Sequence, residues 1–136
     1  MVQEIQSALA TVPPRAMKTP INLQVLRVFA PILIVVGVLG FVLPPAAALT
    51  SGAAPYNLFH LFFGVVGLGC VLSGKLGAVR AFNLGFGLVD LYQAVASLAD
   101  LWPRSLFLWT RVDDALHVVV GTLLVALALG ADRSSD

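Results

Sequence analysis

The stretch LQVLRVFAPILIVVGVLGFVL, residues 23–43, decides the fold: across its length Arg27 is the sole charge. A bilayer core about 30 Å thick is crossed by roughly 20 apolar residues at 1.5 Å rise. This run meets that length, with Pro31 inside it as a kink and Pro44-Pro45 as its stop. Three more apolar segments follow, at 56–73, 81–98 and 114–131, the second entered through Pro55. Seven residues, Gly74 to Arg80, separate the second from the third, which suits only a tight antiparallel turn. The reading is therefore all-α: a membrane-spanning four-helix bundle over residues 23–131. Residues 1–22 form an N-terminal cytoplasmic segment, and 132–136 a cytoplasmic tail.

Composition agrees. A single domain of 136 residues with a soluble core has no use for 59% hydrophobic against 11% charged residues. The excess must face lipid, as does a mean hydropathy of +0.95. A net charge of +1 gives no electrostatic footprint for nucleic acid. Cys70 is the one cysteine, which excludes a disulfide framework and zinc-finger spacing. Residues 1–10 hold Glu4 and no basic residue, so they are not a secretory signal. Val2, Ile5, Leu9 and Val12 fit either a short amphipathic surface helix broken at Pro13-Pro14 or a disordered tail.

Orientation follows from the cations. If four helices alternate, Arg15, Lys18, Arg27, Lys75, Arg80 and Arg133 share one side, six of the eight basic residues. Arg104 and Arg111 face the other, near the interfacial aromatics Trp102 and Trp109. The positive-inside rule puts both termini in the cytoplasm. An internal echo runs through the segments. Asn57-x-x-His60-x-x-x-Gly64 matches Asp114-x-x-His117-x-x-x-Gly121, and Arg27-Val28-Phe29 matches Arg80-Ala81-Phe82. Chance likeness of two apolar helices is one account; two tandem hairpins related by a pseudo-two-fold axis is the other.

The chain resembles a bacterial family of small four-helix membrane proteins classed as a domain of unknown function. The resemblance rests on Val36-Gly37-Val38-Leu39-Gly40-Phe41 with Pro44, and on Asn57-Leu58-Phe59-His60 with Gly64. Arg80 with Phe82, and Asp113-Asp114-Ala115-Leu116-His117 with Gly121, complete it. It implies a four-helix bundle in a bacterial inner or photosynthetic membrane and supplies no activity.

Ionisable residues within spans are costly and mark candidate sites. His60 and His117, at matching depth, are candidate ligands for a haem iron or a (bacterio)chlorophyll magnesium, with Gly64 and Gly121 leaving room for a flat macrocycle. The competing structural reading makes Asn57 and Asp114 N-caps with the histidines at N3. Asp90 falls near the bilayer midplane on a stripe with Asn83, Gly87, Ala94 and Ser97, and Gln93 and Tyr92 are nearby hydrogen-bonding candidates. It is either a proton or cation site or interhelical polar glue. Asp113 and Asp114, being adjacent, point in different directions and are poorly set to chelate a metal together. No Ser/His/Asp set, P-loop, GxGxxG or HExxH occurs, so an enzyme is not expected. The expectation is a non-enzymatic accessory or scaffolding subunit, partnered by lipid and by other membrane subunits or its own copies. The alternative is a small proton- or cation-coupled transporter or channel built on Asp90.

Overall fold

The computed structural model describes residues 1–3 and 18–132. Among them every regular element is helical: α1 (Ile21–Val42), α2 (Ala54–Leu72), α3 (Leu76–Leu98), the single turn α4 (Arg104–Phe107) and α5 (Arg111–Gly130). One turn of 3-10 helix, Pro45–Ala47, follows α1. The surface segment expected through Ile5, Leu9 and Val12, and residues 133–136, lie outside the described residues.

Local chemistry explains the boundaries. Leu43 takes an extended conformation because the proline after it disfavours helical backbone. Pro55 sits in the first turn of α2, where its missing N–H breaks no ladder bond. Gly74 ends the helical hairpin at φ +66°, and the chain re-enters helix at once, Val79 donating to the Lys75 carbonyl at 3.1 Å. That is why α3 begins five residues before the expected Ala81. Thr110 opens α5 through a capping box: its hydroxyl accepts from the Asp113 amide, and the Asp113 carboxylate accepts from the Thr110 amide.

Three helices, α1, α2 and α5, are long and apolar enough to cross a membrane. The expected third segment departs from this pattern. α3, at 23 residues, is long enough, yet Arg80, Asn83, Asp90, Gln93 and Ser97 lower its hydropathy. The reason is position: these polar groups other than Arg80 are all buried among the other helices, away from the apolar exterior. Leu26, Ala30 and Leu33 of α1 close with Val79, Phe82 and Phe86 of α3 and Leu124 of α5 into the main apolar cluster. Phe82 and Phe86 stack within it at 5.6 Å. Tyr56, Ala96 and Trp109 form a second cluster toward the other end.

Outside, the surface is apolar. Val28, Val35 and Val42 on α1, Phe62 and Val65 on α2, and Val119 and Leu123 on α5 are each more than half exposed. Contiguous apolar surface of this kind marks a membrane or protein interface. Phe59, Phe63 and Leu68, unlike the exposed Phe62, turn inward. They pack against the main cluster, Phe59 and Phe63 lying 5.9 and 5.4 Å from the Phe86 ring, because large rings fill the gap between α2 and α3.

Candidate functional site

The site begins with two close backbone approaches. A Cβ on Gly121 would lie 2.8 Å from the Gly87 carbonyl oxygen, and one on Gly87 would lie 2.9 Å from that of Gly121. Only glycine at both positions lets α3 and α5 touch backbone to backbone. A Cβ on Gly64 would meet Ile34 of α1 and lie 3.1 Å from the Ala30 oxygen, so α1 and α2 pair in the same manner. Asp90 sits one turn beyond Gly87, His117 one turn before Gly121 and His60 one turn before Gly64. The glycine contacts therefore set where the three ionisable groups stand.

All three line one cavity of about 120 Å³. α1 supplies Phe29, Ile32, Leu33 and Val36; α2 supplies Tyr56 and His60; α3 supplies Phe86 and Asp90. Asp113, Leu116, His117 and Val120 of α5 and Thr50 of the α1–α2 loop complete the wall. Few polar groups converge in a largely apolar lining, the usual make-up of a small-molecule site.

The polar groups differ in how well they are satisfied. Asp113, fully buried, accepts from the Tyr56 hydroxyl at 2.7 Å, the Ser51 amide at 2.9 Å and the Thr110 amide at 2.8 Å. The Thr110 hydroxyl lies 3.0 Å from the same carboxylate. His60 Nδ1 stands 2.8 Å from the Tyr56 carbonyl oxygen. A carbonyl only accepts, so Nδ1 carries the hydrogen and Nε2 is left with its lone pair when the ring is neutral. By contrast, no hydrogen bond among the described residues reaches the Asp90 carboxyl, 4% exposed, and the buried His117 Nδ1 has no partner there either. The His117 ring meets Trp109 edge to face at 5.7 Å.

The expected polar stripe of α3 is buried throughout but serves separate places. Asn83 donates to the Asn22 side-chain oxygen at 3.0 Å, at the far end of the helices from the cavity. Gln93 and Ser97 are buried without lining the cavity, and neither polar atom of Gln93 has a partner among the described residues. Tyr92 does not serve Asp90; its hydroxyl donates to the Trp102 carbonyl at 2.7 Å.

The capping account of the histidines is corrected. Asn57 and Asp114 are not N-caps, because the helices start a turn earlier, after Ala53 and Thr110. His60 and His117 thus lie two turns inside. A tetrapyrrole between them does not fit: the space beside Gly64 and Gly121 is filled by Ala30, Ile34, Gly87 and Leu91. The cavity is also well below the roughly 300 Å³ at which sites for larger organic ligands begin. No group of three His, Cys, Asp or Glu side chains among the described residues is set to hold a metal ion.

Tyr56 and Asp113 were missed as site residues. The signal was present: Tyr56, His60 and Gly64 are spaced i, i+4, i+8, as are Asp113, His117 and Gly121, one position before the Asn57 and Asp114 that the repeat was anchored on. No family model, curated protein or solved structure matches the chain, so its functional reading rests on this geometry.

Proposed function

We propose that the chain is an integral membrane protein of four spans, both termini cytoplasmic, whose cavity between the helices is a proton- and cation-coupling site for transport centred on Asp90. The observation that carries the reading is the gathering of Asp90, His60 and His117, from three helices, on one cavity under an apolar exterior. Chains of Asp and His in membrane interiors are proton relays because each group can take up and pass on a proton without leaving its place. Asp90 has free lone pairs, His60 offers Nε2, and His117 Nδ1 is unpartnered. A cavity of about 120 Å³ admits several waters at roughly 30 Å³ each to bridge them.

The outer end leads to Asp113 and the Ser51 amide of the loop. The cytoplasmic end is sealed by Leu26, Ala30, Phe82 and Leu124, so conduction requires that layer to part. The pairing of α1 with α2 and α3 with α5, each through a glycine one turn beyond a histidine, supports two tandem hairpins with pseudo-two-fold symmetry.

In proteoliposomes holding a pH-sensitive dye, the wild-type chain should dissipate an imposed pH gradient. Asp90→Asn should abolish that flux and Asp90→Glu should keep part of it. Equal flux through wild type and Asp90→Asn would remove the reading. The accessory-subunit reading is favoured by one feature, the exposed apolar side chains around α1, α2 and α5 that a partner subunit or second copy can cover. Co-purification of a stoichiometric partner in mild detergent would support it.

A further inference from the structure

Resting on the transport reading, the cavity also indicates what it takes up. We propose that its ligand is a small organic cation, a short-chain or methylated ammonium ion, held by the Asp90 carboxylate among the rings of Phe29, Phe86 and Tyr56.

Charge comes first. Among the described residues no lysine or arginine lines the cavity. Arg80, on the same helix as Asp90, turns to the opposite end and donates to the Ala128 carbonyl at 2.9 Å. Of the two carboxylates, Asp113 is saturated by the Tyr56, Ser51 and Thr110 donors. Among the described residues no hydrogen bond reaches Asp90, and a buried carboxylate without donors or a counter-ion is costly until it takes up a proton or a cation. A cation in the cavity supplies what the protein leaves out.

Shape and wall chemistry then select the type of cation. Phe29 and Phe86 meet at 5.5 Å with planes 71° apart, and Tyr56 of α2 lines the same cavity. Ring faces attract alkylated ammonium ions, whose charge is spread over apolar groups. A bare metal ion instead demands six or so oxygen ligands, and the cavity shows no set of that kind. About 120 Å³ corresponds to roughly four waters, which excludes large aromatic cations.

Acid opposes binding from every side. Protonating Asp90 removes the charge that the ligand pairs with. His60 on α2 and His117 on α5 add positive charge when protonated, Asp113 and Tyr56 share their hydrogen bond, and α1 lines the cavity with Phe29, Ile32, Leu33 and Val36, none of them titratable. Uptake of a proton and release of the cation are thereby coupled at one carboxylate.

The test is calorimetric titration of the purified full-length chain in detergent with tetramethylammonium chloride, with sodium chloride and sodium acetate as controls. Wild type should bind one tetramethylammonium per chain at about pH 7.5, and roughly tenfold more weakly at about pH 5. Asp90→Asn should weaken binding by tenfold or more, and Phe86→Leu, which keeps the charge, by severalfold. No binding by wild type, or equal binding by wild type and Asp90→Asn, overturns the proposal. If proton flux in liposomes still depends on Asp90 in that event, the transport reading survives and only the ligand assignment fails. Loss of Asp90 dependence in the flux would sink both.

Discussion

Asp113 ties three segments of the chain together at one end of the helices. It is fully buried and joins the Ser51 loop, the α2 residue Tyr56 and the start of α5 through one carboxylate. Asp113→Ala leaves two amides and a phenol without their acceptor. An orphaned buried donor costs about 1–3 kcal/mol, so the expected loss is on the order of 3 kcal/mol or more. Thermal unfolding in detergent reads this as a clear fall in Tm, and Asp113→Asn, which keeps one oxygen, should fall less. A melt equal to wild type for the alanine variant would show that the network bears no load. The role of Asp113 was hidden because its partners Ser51 and Tyr56 lie some sixty residues earlier in the chain. Its local part was readable, since Thr110-x-x-Asp113 before an apolar run is a helix-start signature.

Between elements, packing and capping cross the chain. Gly121→Val forces a branched side chain against the Gly87 carbonyl, where even a Cβ would stand at 2.8 Å. Overpacking of this kind costs about 1–3 kcal/mol, and it also pushes α3, with Asp90, away from α5. Lower stability together with lost cation binding is the expected outcome; unchanged binding would separate the glycine contact from the site. At the opposite end of the helices α1 lacks a side-chain cap of its own, following Pro20. Asp132, just beyond α5, fills that role by accepting from the Ile21 and Asn22 amides, both at 2.8 Å. Partial burial there acts to raise the Asp132 pKa, but the Asn22 and Ile21 hydrogen bonds and the Arg80 charge outweigh it and hold the carboxyl below its ordinary value. The folded chain thus favours the ionised form. The resulting stabilisation is fully present above the ordinary carboxylate value of about 3.9, and is lost as pH falls through the lower folded value. Asp132→Ala should cost about 1 kcal/mol at neutral pH. Unfolding curves for the variant and wild type should converge in strong acid; a gap that persists there would mean the carboxylate is not the cause.

The entire chain carries the last prediction, its orientation. Lys75 lies in the α2–α3 turn beside Gly74, at the same end as Lys18, while Arg104 and Arg111 lie at the other. A reporter active only outside the cytoplasm should be silent when fused after Asp136 and active when inserted at Ser105. The reverse pattern would invert the topology and with it the outer and inner ends of the proposed path. Cationic loops stay in the cytoplasm because moving them across the membrane is costly, so this property depends on charge placement alone.

Apolar runs, their breakers and the placement of charges were enough to establish helices, their approximate limits and an exterior suited to lipid, because all of these depend on neighbours within a few residues and on solvent. They also singled out His60, His117 and Asp90, whose cost in an apolar run is visible without coordinates. That these three share a cavity, that Asp113 rather than Asp114 is its structural anchor, and that Asp132 caps a helix more than a hundred residues earlier came only with the packed helices. Contacts of that range depend on which helices pair and at what rotation. The pairing is set by glycines at which an added Cβ would stand within 3 Å of the facing backbone, a condition that depends on both helices at once.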